Sequence, residues 1–280
     1  MIVVVGDLAV DVLVTPVAPP VPGADVRARI RTVAGGAGAN TAAWLAHLGA
    51  AVTLVARVGD DAAGRAAAAD LPGVDLALAV DPDEPTATVV VLLDGDRTML
   101  SDRGAAARLS PADLPPLDGA DHLHLSGYVL LDPSSRAAGL AALAAARAAG
   151  LSTSVDPQSA PALTPEFREW VRGADLLLPN ADERAALGHV PEVGAVAATA
   201  GARGATWTDA RGTWSVPAPA VPVCDPTGAG DAFDAGLLRA WLGGAAPEDA
   251  LRAGCAAGAA AVQHPGARPP RRRRGRGSAR

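Results

Sequence analysis

Short apolar runs alternating with helix-patterned segments predict an α/β protein: a doubly wound, mainly parallel central sheet with helices on both faces, plus a small β lid. The chain opens on a continuous apolar run, residues 2–5, closed by Gly6-Asp7, the pattern of a strand buried on both faces. Comparable runs recur at 52–55, 122–125, 152–155, 176–178 and 196–199, spaced by helical stretches rich in Ala and Leu. Two other stretches alternate polar with apolar residues, as half-exposed lid strands would.

In order, residues 8–15 extend the first run and place Asp11 among Val10, Val12, Leu13 and Val14. Residues 16–22 are proline-rich, and 26–33 alternate Arg27, Arg29 and Arg31 with Val26, Ala28 and Ile30. Residues 87–93 and 98–101 form a hairpin about Asp94-Gly95-Asp96. The two separated segments, about 12–33 and 85–102, read as the lid of one domain covering residues 1–270; ordinary edge hairpins on the main sheet are the alternative. Between them lie a helix at 38–48, the strand at 52–55 and a helix at 61–70. After the second lid segment come helices at 133–149, 165–171 and 181–187. A hairpin joins 206–208 to 213–216, extended chain runs through 216–223, and the last helices start at Gly228 and span 247–262. No repeat and no long linker divides the chain.

Hydrophobic residues make up 49% of the 280 and aromatics only 3%, so the core is built from Ala, Val and Leu. All 24 basic residues are arginine, which excludes a Walker-type phosphate loop with its lysine. Cys224 and Cys255 form no CxxC pair. The N-terminus has no basic leader pattern and no apolar run approaches a membrane span, so a cytoplasmic protein without a membrane partner is expected. Six arginines crowd the last ten residues, so the rest is more acidic than the net charge of −6 suggests and is a poor nucleic-acid binder. The tail, 271–280, is expected to be disordered and to make no contact with the core.

The most informative stretch is Asp225-Pro226-Thr227-Gly228-Ala229-Gly230-Asp231-Ala232-Phe233, a glycine turn opening a helix. The amides of a first helical turn are a ready anion site. A carboxylate there repels an anion unless it has a task, and the task that fits is taking a proton from a hydroxyl while the amides hold a phosphoryl group. The plain alternative is that Asp231 merely suits the helix dipole. Far upstream stands a second glycine motif, Ala34-Gly35-Gly36-Ala37-Gly38-Ala39-Asn40-Thr41-Ala42. Asn180 with Glu183 reads as a capping box at the end of a strand, where open α/β sheets place ligands. His122 and His124, on alternate positions of an apolar strand, read as structural rather than as metal ligands.

The two glycine motifs, in this order, resemble the signatures of the ribokinase-like sugar kinases, the PfkB carbohydrate-kinase family, over nearly the whole chain. The resemblance implies ATP-dependent phosphorylation of a hydroxyl on a small sugar or sugar-like molecule, with ATP and Mg²⁺ as cofactors. It makes Asp231 the general base and the amides of Gly228, Ala229 and Gly230 the anion hole. Asp11 and Asn40, aided by the backbone at Gly35-Gly36, would hold the substrate, a carboxylate suiting a sugar diol. Asn180, Thr199, Gly201, Gly204 and Thr227 would face the ATP, and Glu183 (through water) with Asn180 would organise the magnesium. A potassium ion beside Asp225 and a homodimer through the lid are further expectations.

Departures from the pattern bear on the substrate. Ala37 and Ala9 replace a Lys and an Asn, and Ser126-Gly127-Tyr128 replaces a substrate Glu, which argues against the specificity of ribokinase itself. Cys255 stands where many relatives carry an adenine-side Asn. A nucleoside kinase and a 2-keto-3-deoxy sugar-acid kinase are the alternatives, the latter because Arg103 would pair with a substrate carboxylate. From a different class, the chain would be a non-catalytic nucleotide-binding protein.

Overall fold

The computed structural model describes residues 1–94, 96–188 and 192–270. The arginine tail, 271–280, and the tip of the Asp94-Gly95-Asp96 turn lie outside the described residues. In chain order the strands and helices are β1 (Ile2–Val5), β2 (Ala9–Pro16), β3 (Ala28–Gly35), α1 (Ala37–His47), β4 (Val52–Gly59), α2 (Ala62–Ala69), β5 (Asp75–Asp81), β6 (Ala87–Asp94) and β7 (Asp96–Asp102). There follow β8 (His122–Ser126), α3 (Tyr128–Leu131), α4 (Arg136–Ala148), β9 (Ser152–Asp156), α5 (Phe167–Trp170), β10 (Leu176–Leu177), α6 (Ala181–Leu187) and β11 (Ala195–Thr199). The last are β12 (Ala205–Asp209), β13 (Gly212–Val216), α7 (Ala229–Trp241) and α8 (Pro247–Ala261).

Nine strands form the central sheet in the order β13-β12-β11-β10-β9-β8-β1-β4-β5. It is parallel except for β12 and β13, which return antiparallel at one edge. Alternate residues of β1 enter different cores. Ile2 and Val4 pack with Trp44, Phe233, Leu237 and Leu251, whereas Val3 and Val5 pack with Leu130, Leu143 and Phe167. Both faces of the strand are therefore buried, which is why its sequence is unbroken Ile and Val. Each such side chain contributes about 1.5–3 kcal/mol by leaving water. The chain builds outward from β1 through β4 to β5, then returns to the opposite side of β1 with β8. That reversal opens a crevice at the carboxyl ends of the strands.

Residues 8–15 do not extend β1. The chain breaks at Gly6-Asp7-Leu8 and β2 enters a second, four-stranded sheet, β3-β2-β6-β7, separate from the central one. Within it β2 and β6 are parallel and the other pairs antiparallel. Strand β5 was not expected from the sequence, because Asp75-Leu-Ala-Leu-Ala-Val-Asp has a single β-branched residue. The run 216–223 is strand only to Val216, since Pro217, Pro219 and Pro222 supply no ladder amide. The long helix expected at 133–149 begins at Arg136 and is preceded by the short α3. Among the described residues no helix is long and apolar enough to cross a membrane.

His122 and His124 sit in β8, fully buried. His122 bonds the hydroxyls of Ser152 and Ser154 through its two ring nitrogens, at 2.8 Å each, and His124 Nδ1 bonds Ser154 at 2.8 Å. Burial pushes the imidazoles down to about 3 and about 4, with His124 adding to the shift of His122. The native state therefore excludes a proton that the unfolded chain accepts near pH 6.5, so this contribution to stability is lost as pH falls from there toward 4. Buried carboxylates held above their usual range, such as Glu183, act in the opposite sense. His124→Leu isolates the imidazole. Between pH 6 and 4.5 its urea-unfolding free energy should depend on pH less steeply than the wild type's, by up to about 1.4 kcal/mol per unit. Parallel curves would refute the assignment.

Candidate active site

Residues at the carboxyl ends of the central strands converge on the crevice. Asp7 follows β1, Tyr128 follows β8, Asp156 ends β9, Asn180 follows β10 and Thr199 ends β11. The amino terminus of α7 points in from the opposite wall. Its turn is tied by Asp225, whose Oδ1 accepts the Thr227 amide and whose Oδ2 accepts the Gly266 amide, both at 2.9 Å. Gly228 caps the helix at φ 75°, and a Cβ there would lie 2.5 Å from the Ala267 oxygen, so only glycine fits. No side chain caps α7, which leaves its amino end to a ligand.

Asp231 stands in the first turn of α7. The Asn40 Nδ2 donates to its Oδ2 at 2.9 Å, joining the two glycine motifs across 191 residues. Asn40 is buried and its Oδ1 has no partner among the described residues. Enclosure by protein pushes the Asp231 carboxyl up to about 7; the Asn40 bond opposes the shift, while Asp7 and Asp11 reinforce it.

Asp11, on β2, is 8% exposed. The Gly35 backbone lies against its carboxylate, so closely that a Cβ on Gly35 would fall 2.3–2.5 Å from the carboxylate atoms. Asp7, not expected to take part, accepts the Gly38 amide and the Arg103 guanidinium at 3.2 Å each. Arg103 also lies 4.9 Å from the centre of the Tyr128 ring. Its Nε and Nη2 are buried with no partner among the described residues. Burial, then the charge of Asp7, pushes the Tyr128 hydroxyl up to about 12.

Behind Asp231 a cavity of about 170 Å³ is lined by Asp156, Asn180, Glu183, Gly228–Asp231 and Asp234. Asn180 and Glu183 form the expected capping box: Asn180 Oδ1 accepts the Glu183 amide at 2.9 Å and Glu183 Oε2 accepts the Asn180 amide at 2.8 Å. Burial holds Glu183 above the usual carboxylate range. Asp156 and Asp234, neither expected from the sequence, share a hydrogen bond and are both held well above that range, burial being the main cause. Gln158, at φ 73°, donates its amide and side chain to Asp156 at 3.0 and 2.6 Å. Among the described residues no set of three or more His, Cys, Asp or Glu side chains is arranged to hold a metal directly.

A larger cavity, about 530 Å³, adjoins this one through Thr199, Pro226, Ala229 and Gly230. Gly201, Gly204, Val223, Phe233 and Cys255 also line it. Thr227 is not among the residues lining either cavity. The structure thus brings Asp11, Asn40 and Asp231 near one another and places Thr199, Gly201 and Gly204 around the larger cavity. Sequence reasoning missed Asp7, Tyr128, Asp156 and Asp234, of which only Asp7, an acid directly after a buried strand, left a local signal.

A parallel sheet with this crevice, and a glycine turn opening a helix beside a carboxylate, form an α/β site suited to an anionic ligand. The chain belongs to the pfkB family of carbohydrate kinases, which matches residues 1–273. The ATP-dependent ribose-1-phosphate kinase of Halopiger xanaduensis is 34% identical over 266 residues, covering 88% of this chain and 87% of that protein. The bifunctional protein HldE of Caulobacter sp. is 36% identical over 261 residues, 80% of this chain and 50% of that protein, so the chain spans about half the length of such relatives. The crystal structure of aminoimidazole riboside kinase from Salmonella enterica, complexed with aminoimidazole riboside and an ATP analog, superposes with a TM-score of 0.79. Its sequence is 29% identical, and the match covers 95% of this chain and 94% of that one.

The ion pair of Arg103 with Asp7 generates a stability prediction. Arg103→Met should lower the unfolding free energy by roughly 1–3 kcal/mol, because it leaves a buried carboxylate unpaired. Adding Asp7→Asn should return part of that loss in urea titrations. A double variant no more stable than Arg103→Met would show the pair to be incidental.

Proposed function

We propose that this kinase transfers the γ-phosphoryl group of ATP to a hydroxyl of a small, neutral sugar or sugar-like molecule. The observation that carries the reading is the Asn40–Asp231 hydrogen bond, which joins the acceptor-side and phosphate-side motifs. Asp11 and Asn40 hold the acceptor diol beside the Gly35-Gly36 backbone. Asp231, ionised, accepts the proton of the attacking hydroxyl. The amides of Gly228, Ala229 and Gly230, at the positive end of α7, receive the negative charge of the transferring group.

The nucleotide would lie across the two joined cavities, its base among Gly201, Gly204 and Cys255 and its phosphates toward Thr199 and the α7 turn. Asn180 and Glu183 spend their polar atoms on each other, and the nearby acids do not converge on one point. Magnesium would accordingly be held by the phosphates and by water bound to Glu183 and Asn180, and it supplies charge neutralisation on the phosphoryl group. Both oxygens of Asp225 accept amides, so a potassium ion there would rest on carbonyl oxygens of the turn that Asp225 shapes.

Charge favours a neutral acceptor. Asp7 and Asp11 both bear on Asp231, and the one arginine once expected to meet a substrate carboxylate, Arg103, has its Nη1 engaged with Asp7. A sugar acid would bring further negative charge into that setting. The four-stranded sheet serves as a lid that excludes water, so that ATP is not hydrolysed. We take residues 1–270 as one domain that works in the cytoplasm. Ile30, Met99 and Leu100, exposed on the lid sheet, support pairing of two copies through it.

ATP turnover on a panel of D-ribose, D-fructose, adenosine and 2-keto-3-deoxygluconate tests the reading. Turnover of a neutral acceptor is expected; preference for the sugar acid would overturn the charge argument, and no turnover on any would favour a non-catalytic protein. With the best acceptor, kcat/KM should fall about tenfold per pH unit below about 7, because the base works only when ionised. Asp231→Asn should reduce turnover by about 10²–10⁴-fold with ATP binding retained. Asp11→Ala should raise the acceptor KM far more than the ATP KM; equal shifts would make Asp11 merely structural.

A further inference from the structure

The composition of the C-terminal end groups Arg268 with the arginine-rich tail, yet its side chain is only 9% exposed. Its Nη1 donates to the Ala67 oxygen at 3.3 Å, to the Asp70 oxygen at 3.0 Å and to Asp70 Oδ2 at 3.4 Å. Its Nη2 donates to the Gly35 oxygen at 3.1 Å. Nε is buried with no partner among the described residues. Three of these four bonds end on neutral carbonyls, so the ion pair alone does not account for taking a guanidinium out of water. An apolar side chain would fill the space without that desolvation.

The carbonyl it reaches is a particular one. Gly35 ends β3, the strand that leads from the lid sheet into α1, and its backbone lies against the Asp11 carboxylate. The neighbours of Arg268 are equally committed. The Ala267 oxygen accepts Trp44 Nε1 of α1 at 2.9 Å, Ala267 packs on Gly228, and the Gly266 amide holds Asp225. Residues 266–268 therefore run from the α7 turn, past α1, to the glycines beside Asp11. The backbone of 266–267 serves the phosphate side, and the side chain of 268 serves the acceptor side.

We infer that Arg268 is a positioning residue for acceptor binding: it holds the Gly35 peptide, and through it Asp11, in register with the α7 turn. The inference rests on the assignment of Asp11 and Gly35-Gly36 to the acceptor. Because the turn is held by backbone bonds, removing the side chain should loosen the acceptor side and leave the phosphate side in place.

Arg268→Met should raise the KM of the best acceptor in the panel by about tenfold, the scale of one hydrogen bond from a charged donor, while the ATP KM stays within about twofold. Arg268→Lys, which keeps a charged donor, should recover part of the loss. Asp70→Ala, which removes the carboxylate partner but leaves the two carbonyls on Nη1, should shift the acceptor KM in the same direction by less. Acceptor and ATP constants that change together, or an unchanged acceptor KM, would overturn the role. Hydrogen–deuterium exchange on the full chain without ligands separates this from failure of the kinase reading. In Arg268→Met, exchange should rise across residues 33–40 and stay unchanged across 225–234. Uniform change, or none, would sink the proposal even if no acceptor is ever found. Should Arg268→Met fail to fold, Arg268→Lys and Asp70→Ala carry both measurements.

Discussion

Three carboxylates, Asp7, Asp11 and Asp231, influence one cleft, and much of the surrounding structure answers their mutual repulsion. At an effective dielectric near 20, like charges several ångströms apart repel by roughly 2–4 kcal/mol, too much to leave uncompensated three times over. Asp7 is compensated by Arg103 and the Gly38 amide. Arg268 feels the charge of Asp11 from behind the glycine motif. Asp231 accepts the neutral Asn40 amide, and enclosure by protein, reinforced by Asp7 and Asp11, pushes it up to about 7. The compensation is distributed unequally, and Asp231, the proposed base, has no cationic side chain among its hydrogen-bond partners in the described residues.

The parts of the site legible in the sequence are those whose chemistry is local. Gly228, Ala229, Gly230 and Asp231 form one turn, and Asn180 with Glu183 one cap, so each declares itself within a few residues. The residues that escaped notice depend on partners far along the chain. Asp7 meets Arg103 across 96 residues, and Arg268 meets Gly35 across 233. Asp234 looks like an ordinary helix residue, but it is buried and β9 brings a second acid, Asp156, to it. Arg103, expected to meet a substrate carboxylate, instead donates to Asp7, a pairing that no neighbouring residue in the sequence announces.

The same division holds for the fold. β1, buried on both faces, was legible from four residues because a two-sided apolar environment permits nothing polar. The start of β2 in the second sheet at Ala9, ahead of the lid segment expected from about residue 12, was not, because an apolar run says nothing about which sheet receives it. β5 lies at the sheet edge with Leu76 and Val80 partly exposed, and its alternation of Leu and Ala fits a helix as readily as a strand. Alanine is the recurrent source of such ambiguity in this chain. It fills cores between close-packed elements but carries almost no directional signal of its own.

The ionisation of Asp231 results from opposing effects, and their balance matters more than any one of them. The amino end of α7 carries about half a positive charge and favours the carboxylate, as does the Asn40 bond. Burial and the two neighbouring acids favour the protonated form and prevail. Were the helix end to dominate, the carboxylate would be fully ionised but too weak a base to draw a proton from an alcohol. Were burial to dominate further, the group would be protonated and idle at neutral pH. A value near 7 gives close to the largest product of ionised fraction and basicity at that pH. An acceptor that excludes water would raise the carboxyl further, whereas magnesium-neutralised phosphates beside the turn would limit that rise. In the proposed reaction the two substrates together would therefore keep the carboxyl close to the value at which it is most effective.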